Sequence, residues 1–442
     1  MEDKIIMPSI GEIKQKLKET DSTKIFFTDL KGRLMSLPVN GEHIELIVKD
    51  GIGFDGSSIA GMASVDNSDK LLFPAIESFK TVELNDEKLG FFIGRIYDER
   101  DVRAKADPRV VLEDVLIEAE TEYGFKFIVG PEHEFFLLTG DEFGKKDHSD
   151  RAGYFNATPQ DKGESVRNRI ISVLKKCGIQ FEKAHHEATP SQHEINLVCT
   201  DPIDGADRTV LFNYVTKKVA QEFGYHATFM PKPFDGFNRN AFHIHLSMLD
   251  MKGNNLFYDA SADGQISKTA LHFIGGIMKY ARETSIIMAS TFNSYKAYVL
   301  EREAPMIKSW GFRNRSSMVR IPYSNSPENT RIELRSPDPA GNVYLQMATL
   351  IAMGLQGIKE ELDCGRPDIG STYNKNYKTR VFDKRFLPRS LYEALVEAEK
   401  SQFLKQILGE SLYANYMKLK IDDWEGHRTH VTPRELNNYL DS

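Results

Sequence analysis

The run Gly130-Pro131-Glu132-His133-Glu134 sets two carboxylates two residues apart inside an apolar segment. Phe125 to Val129, Lys126 apart, precede it with apolar side chains, and Phe135, Phe136 and Leu137 follow, as in a strand. Residues two apart on a strand face the same side, so Glu132 and Glu134 project into one space. Two carboxylates placed that way repel unless a cation lies between them. A pair of solvated edge residues is the competing reading, and the apolar flanks argue against it.

Three further stretches repeat the theme. His185-His186-Glu187-Ala188-Thr189-Pro190-Ser191-Gln192-His193-Glu194 contains Pro190, which breaks a continuous strand, so Glu187 and Glu194 should flank a turn. Phe242-His243-Ile244-His245-Leu246 and Arg331-Ile332-Glu333-Leu334-Arg335 both alternate polar and apolar positions. Singly, each is more often a satisfied core or edge feature than a set of ligands. Together they put Glu132, Glu134, Glu187, Glu194, Glu333, His243 and His245 on or beside apolar strands, which is costly without partners. Sites rich in oxygen with an occasional imidazole suit Mg²⁺ or Mn²⁺, and this many carboxylates could hold more than one ion. Arg313, Arg315, Arg320, Arg331 and Arg335 lie in one short span. Divalent ions with convergent arginines are what phosphoryl transfer requires. No Walker loop or dinucleotide glycine fingerprint is present, so a nucleotide would have to bind another way.

The elements that must position these residues can be read in outline. A helix over 13–19 and strands over 24–27, 34–37, 71–73 and 90–96 fill the first hundred residues. Asp107-Pro108 then starts a helix, with an N-cap side chain followed by proline at the first helical position, and Gly124 ends it. The domain boundary is placed there, giving 1–107 and 108–442. Beyond it, strands around 125–138, 192–199, 241–249 and 331–336 alternate with helices around 164–177, 206–223, 266–283 and 343–361. That pattern argues for an α+β catalytic domain with one large sheet. The last fifty residues read as mostly helical.

Composition narrows the classes of function. The chain has 442 residues, 40% hydrophobic and 27% charged, enough for two or three domains. A net charge of −7 gives no footprint for nucleic acid or an anionic membrane. The longest apolar stretch, Tyr344 to Ile358, is interrupted by Gln346, Gly354 and Gln356 and reads as a buried helix. No secretory signal is expected, and the widely spaced Cys177, Cys199 and Cys364 read as free thiols of a reducing cytoplasm.

In motif order, the chain resembles the glutamine synthetase family, of type I. The matching segments are F-D-G-S-S-I-A-G (54–61), G-P-E-H-E-F-F (130–136), H-H-E-A-T-P-S-Q-H-E (185–194), M-P-K-P (230–233), N-S-Y-K (293–296), E-A-P (303–305), R-N-R-S (313–316) and R-I-E-L-R-S-P-D-P (331–339). The resemblance implies a small N-terminal β-grasp domain and a larger catalytic domain. It also implies a cytoplasmic homo-oligomer, usually a dodecamer of two hexameric rings, with sites shared between neighbouring subunits. By the same token, Glu134, Glu187 and Glu194 would hold one metal, and Glu132, His243 and Glu333 the other. Arg315, Arg320 and Arg331 would meet the nucleotide and the transferred phosphoryl group, with His245 near the nucleotide. Arg335, with Asn238, would meet the acid. Asp55 and Ser58 from a neighbour would join Tyr154 and Glu303 around ammonium. The implied reaction uses ATP to phosphorylate the γ-carboxylate of glutamate, after which ammonia attacks the acyl phosphate.

Two stretches depart from the family pattern. Where the family reads N-G-S-G-M-H, this chain has Asn238-Arg239-Asn240-Ala241-Phe242-His243, so both glycines carry side chains. Where the family has an arginine that grips the carboxylate of glutamate, this chain has Ala297, with Arg239 and Arg302 as new charges nearby. Glutamate with ammonia is the default substrate pair. A related acid, a γ-glutamyl amide made with another amine, a non-catalytic homologue and a phosphotransferase are the alternatives. Retention of the metal and ammonium positions argues against the last two.

Overall fold

The computed structural model describes residues 8–140, 146–298, 304–324, 326–372 and 384–442. Its chain begins with the helix Ile10–Leu17, closed at its start by a Ser9–Glu12 capping box. The strands that follow are β1 (Ser22–Thr28), β2 (Leu34–Val39), β3 (Ile52–Asp55), β4 (Asp69–Leu84), β5 (Glu87–Glu99) and β6 (Val102–Arg103). They form a sheet in the order β2-β1-β5-β4-β3, with β6 on β5. β1 runs parallel to β5, and the other pairs are antiparallel.

Two local features here were not legible in advance. The expected strand at 71–73 is the start of sixteen-residue β4, whose register slips between Ala75 and Lys80. The bulge breaks the alternation that would have marked the second half. Ile44–Asp50 is a short helix burying only Ile44 and Ile47. Its Ile-Glu-Leu-Ile-Val sequence is rich in β-branched residues, and packing overrides that preference.

The link to the second sheet is built as the sequence indicates. Asp107 caps the helix Pro108–Tyr123 by accepting from the Arg109 N–H, and Gly124 ends it in the left-handed conformation. The same Asp107 carboxylate accepts from the Ile96 N–H at 3.1 Å, tying the helix start to β5.

Among the described residues the larger sheet has nine strands: β7 (Phe125–Thr139), β8 (Asp147–His148), β9 (Phe181–His186), β10 (Gln192–Leu197), β11 (His226–Thr228), β12 (Phe242–Asp250), β13 (Trp310–Phe312), β14 (Val319–Ile321) and β15 (Ile332–Leu334). Their order is β13-β14-β15-β12-β7-β10-β9, with β8 and β11 also pairing β7. β7 is the spine, and its two faces do different work. His133 and Phe135 point toward the helix Pro202–Glu222, where His133 packs 4.3 Å from Phe212, ring centroid to ring centroid. Glu132 and Glu134 alternate with them and face the other way.

The helices Pro108–Tyr123, Lys268–Tyr280 and Val343–Lys359 enclose the main core behind the sheet. Gly276 and Gly357 let the last two approach closely, because a Cβ on either would overlap the other helix. A second core joins Phe26, Phe91 and Ile93 of the first sheet to Phe135, Val166 and Leu211 of the second region. The C-terminal stretch is helical from Leu391 to Tyr439 with short breaks. Among the described residues no helix is long and apolar enough to cross a membrane.

Candidate active site

Antiparallel register assembles the first donor group. Glu132 of β7 lies opposite His243 of β12, and His245 of β12 lies opposite Glu333 of β15. Residues one pleat apart on three neighbouring strands therefore converge on one face. Glu132 accepts from His243 Nδ1 at 3.0 Å and from His245 Nε2 at 3.1 Å. The Arg331 Nε–H donates to His245 Nδ1 at 3.1 Å, which leaves the His245 proton on Nε2, facing Glu132. Glu333 is 1% exposed and is gripped by Arg320 on one oxygen and Arg335 on the other.

These contacts decide the charges. Burial raises the Glu132 carboxyl, but the hydrogen bonds from His243 and His245 outweigh it and hold it well below the usual carboxylate range. Burial likewise opposes ionisation of Glu333, yet the Arg335 guanidinium, foremost among its neighbours, brings it down to about 2. Both acids are carboxylates at neutral pH. His243 is held neutral by burial and by Arg335, with Glu132 and Glu333 pulling the other way. A neutral imidazole is the form that ligates a metal.

The second donor group sits on the β9–β10 hairpin. The turn after His186 closes through Glu187 N–H to Gln192 O at 2.7 Å, with Ser191 in the left-handed region at φ 64°. As the proline implied, Glu187 and Glu194 flank this turn. Between them stands His185, whose Nδ1 is 3.5 Å from Glu187 and whose Nε2 is 3.4 Å from Glu194. Tyr154 and Phe155 pack edge-on against the His185 ring. Burial and Glu187 raise the Tyr154 phenol, which Arg315 pulls back down, so all three share one neighbourhood.

Glu134 stands in register opposite Glu194. Its carboxylate accepts from Gln192 Nε2 at 2.9 Å and from the Ala241 N–H at 2.8 Å. The second group is thus His185, Glu187 and Glu194, with Glu134 as their neighbour across the strands. The sequence reading groups Glu134, not His185, with Glu187 and Glu194, and His185 joins them by position. The signal was its spacing of two from Glu187, obscured because β9 ends between them at His186.

In each group the three donor atoms lie within 4.8 Å of one another. Two carboxylates and one imidazole per group is a donor set that fits Mg²⁺ or Mn²⁺. A third cluster, Asp150, Asp161, His186 and His193, has the same donor types but a different role. Arg167 lies within it, donating twice to Asp161 and contacting His193 Nδ1 at 2.7 Å, so a guanidinium already supplies the positive charge. Asp150 accepts from the Ser191 N–H at 2.9 Å and contacts His186 Nε2 at 3.1 Å, which braces the hairpin from behind.

The remaining sequence-predicted residues are spread around these groups. Arg315 is exposed in the turn before β14. Asn238 is half-buried in the loop before β12. Asp55 ends β3 of the smaller sheet and Ser58 lies in the turn just after it, where Ser58 Oγ donates to Asp55 at 2.6 Å and Ser57 donates through N–H and Oγ. Glu303 and Arg302 fall outside the described residues. A cavity of about 890 Å³ opens beside the first group, lined by Glu132, Lys183, His245, Tyr258, Tyr323 and Arg331 among others. It has the size of a nucleotide site.

Paired oxygen-rich donor groups, arginines on the carboxylates and an adjoining cavity, all on an α+β scaffold, are the parts that metal-assisted phosphoryl chemistry uses. The comparisons make this specific. Residues 20–99 match the glutamine synthetase β-grasp domain and residues 105–439 the glutamine synthetase catalytic domain. Glutamine synthetase from Methanosarcina mazei is 38% identical over 419 residues, covering 94% of this chain and 93% of that protein. Glutamine synthetase from Thermococcus kodakarensis is 38% identical over 414 residues, covering 93% and 90%. The ligand-free structure of GmaS superposes with a TM-score of 0.87 at 30% identity, covering 98% of this chain and all of that one. The chain belongs to the glutamine synthetase family, and its fold is that family's β-grasp domain joined to the larger catalytic domain.

Proposed function

We propose that this chain is an ATP-dependent ligase that joins glutamate and ammonia into glutamine through an acyl phosphate. The observation that carries the reading is the pair of three-donor groups on one sheet face, beside a nucleotide-sized cavity. ATP would enter that cavity with its phosphates toward Glu132, His245 and Arg331. Glu132, His243 and Glu333 would hold one Mg²⁺ or Mn²⁺, and His185, Glu187 and Glu194 the other, with Glu134 beside it. Ions held there would neutralise phosphate oxygens and orient the γ-phosphoryl group.

The chain's own residues supply the rest. Arg315, Arg320 and Arg331 would balance charge on the moving phosphoryl group. Arg335, with Asn238, would orient the acid so that its carboxylate oxygen attacks the γ-phosphorus and ADP leaves. Tyr154, Glu303, and Asp55 and Ser58 of a neighbouring subunit would bind ammonium, and a carboxylate there would take its proton. The freed ammonia then attacks the acyl carbon and phosphate departs. The reading includes a division of the chain at residue 107, a cytoplasmic location and a dodecamer of two hexameric rings.

The test is ADP release over a panel of acids and amines. Release that requires glutamate and ammonia together, with glutamine accumulating, supports the reading. Release with neither, or none with any pair, removes it. The panel extends beyond glutamate because Ala297 is buried where the family carries an arginine.

A further inference from the structure

Arg239 replaces a family glycine, and its side chain is 5% exposed. Its Nη2 donates to the Arg335 carbonyl at 2.6 Å and its Nη1 to the Ser336 carbonyl at 3.2 Å. The guanidinium lies 5.8 Å from the centre of the Tyr298 ring, and the Tyr298 hydroxyl donates to the same Ser336 carbonyl at 3.1 Å. Burial raises the carboxyl of Asp338, which is wholly enclosed, and Arg239 opposes that rise as the first of its charged neighbours. The backbone of Arg239 is held as well. Its carbonyl accepts from Gln192 Nε2 at 2.7 Å, and that same amide donates to Glu134.

One residue therefore ties the end of β15 to the strand that carries Glu134. The two terminal nitrogens of the guanidinium thus each donate to one of two successive carbonyls. Those carbonyls belong to Arg335 and its neighbour, and the Arg335 guanidinium reaches Glu333 from there. A planar fork spanning two carbonyls fixes the peptide plane between them, which a lysine amine cannot do.

We propose that Arg239 is a positioning residue for the acid substrate: it sets the direction of Arg335 through the 335–336 backbone and does not itself touch the acid. The inference rests on the ligase reading, in which Arg335 meets the acid. It assigns to a residue that departs from the family motif the alignment of the acid-binding arginine.

The test is steady-state ADP release by the intact oligomer, comparing Arg239→Met, Arg239→Lys, Arg335→Lys and the two double variants. Loss of a charge-assisted pair of hydrogen bonds should raise the acid KM of Arg239→Met about 10- to 100-fold. The KM for ATP should stay within about twofold, since the nucleotide cavity is lined by other residues. Arg239→Lys should recover little, and neither change should add to the acid KM once Arg335 is lysine. Additive effects in the double variants would show that Arg239 contacts the acid directly and overturn the proposal. So would an unchanged acid KM, or a fall in melting temperature with both KM values rising together, which marks a general structural role. Arg239→Lys gives the same readings where Arg239→Met does not fold. An unmodified protein that releases no ADP with any acid fails the ligase reading itself, whereas an active one with the overturning results fails only this inference.

Discussion

Glu132 illustrates how this site keeps its charge. It accepts two histidine hydrogen bonds, and a change to glutamine preserves shape while removing the anion that both histidines face. Glu132→Gln should lower ADP release by at least about 100-fold, more than the loss expected for a group acting behind a metal ligand. Mn²⁺ titration should lose one class of site while the far-UV spectrum stays unchanged. Full activity in a folded variant would take Glu132 out of the site. For the first group, alternation along β7, β12 and β15 was legible in the sequence. Its grouping into one set came from the family resemblance, because the register that joins the strands is not a local signal. Alternation was less legible at His185, where the strand ends before its partner. The partners of Arg239 could not be read, because the carbonyls it holds lie 97 and 96 residues away. Sequence showed a new positive charge there, and only packing shows where that charge is spent.

At the scale of elements, capping signals were read well where the cap is local. Asp107-Pro108 is such a case, and Asp201-Pro202 is the same signal overlooked, which made the helix Pro202–Glu222 begin four residues earlier than expected. Other elements are fixed by contacts no local signal reports. Gly163 precedes the helix Glu164–Lys176, and a Cβ there would lie 2.3 Å from the His193 ring. That ring is fully buried and held by Arg167, so it cannot swing away. Gly163→Ala should destabilise the protein by about 1–3 kcal/mol, the usual cost of overpacking. It should also weaken activity through β10, which carries both His193 and Glu194. A melting temperature equal to wild type would contradict the packing account.

The helix Glu410–Arg428 gives a second element-scale expectation. Its Lys420 is 1% exposed and donates to the Ser290 carbonyl at 2.6 Å. Burial lowers this ammonium to about 8 from 10.5, against the pull of Asp423. Between those values the unfolded chain binds the proton and the folded chain has released it. Stability linked to this group therefore rises with pH across that window and is lowest below it. Comparing denaturant midpoints of wild type and Lys420→Met should show the wild type gaining on the variant from pH 8 toward 10. Parallel profiles would show that Lys420 keeps its usual affinity for protons.

At the scale of the whole molecule, the proposed site draws on both sheets. The donor groups lie on or beside the larger sheet, while Asp55 ends the edge strand β3 of the smaller one and Ser58 sits in the short turn that follows it. The Asp55 side chain is exposed, and its described hydrogen bonds come only from Ser57 and Ser58. Those bonds hold its carboxyl below the usual range, so it is an anion presented outward. An outward anion on an edge suits a site completed by a neighbouring subunit, which can be tested without knowing the assembly's size. Asp55→Ala and Glu333→Ala subunits, each inactive alone, should regain activity when dissociated together and reassembled. In an equal mixture, about a quarter of the interfaces would pair an intact Asp55 with an intact Glu333, given random association. Activity near a quarter of the wild-type value, with wild-type subunits surviving the same treatment, is the expected result. If each site were built within one chain, every chain would carry one defect and the mixture would stay inactive at any ratio. The dependence on mixing ratio is a further check, because recovery should peak at equal proportions and vanish at either extreme.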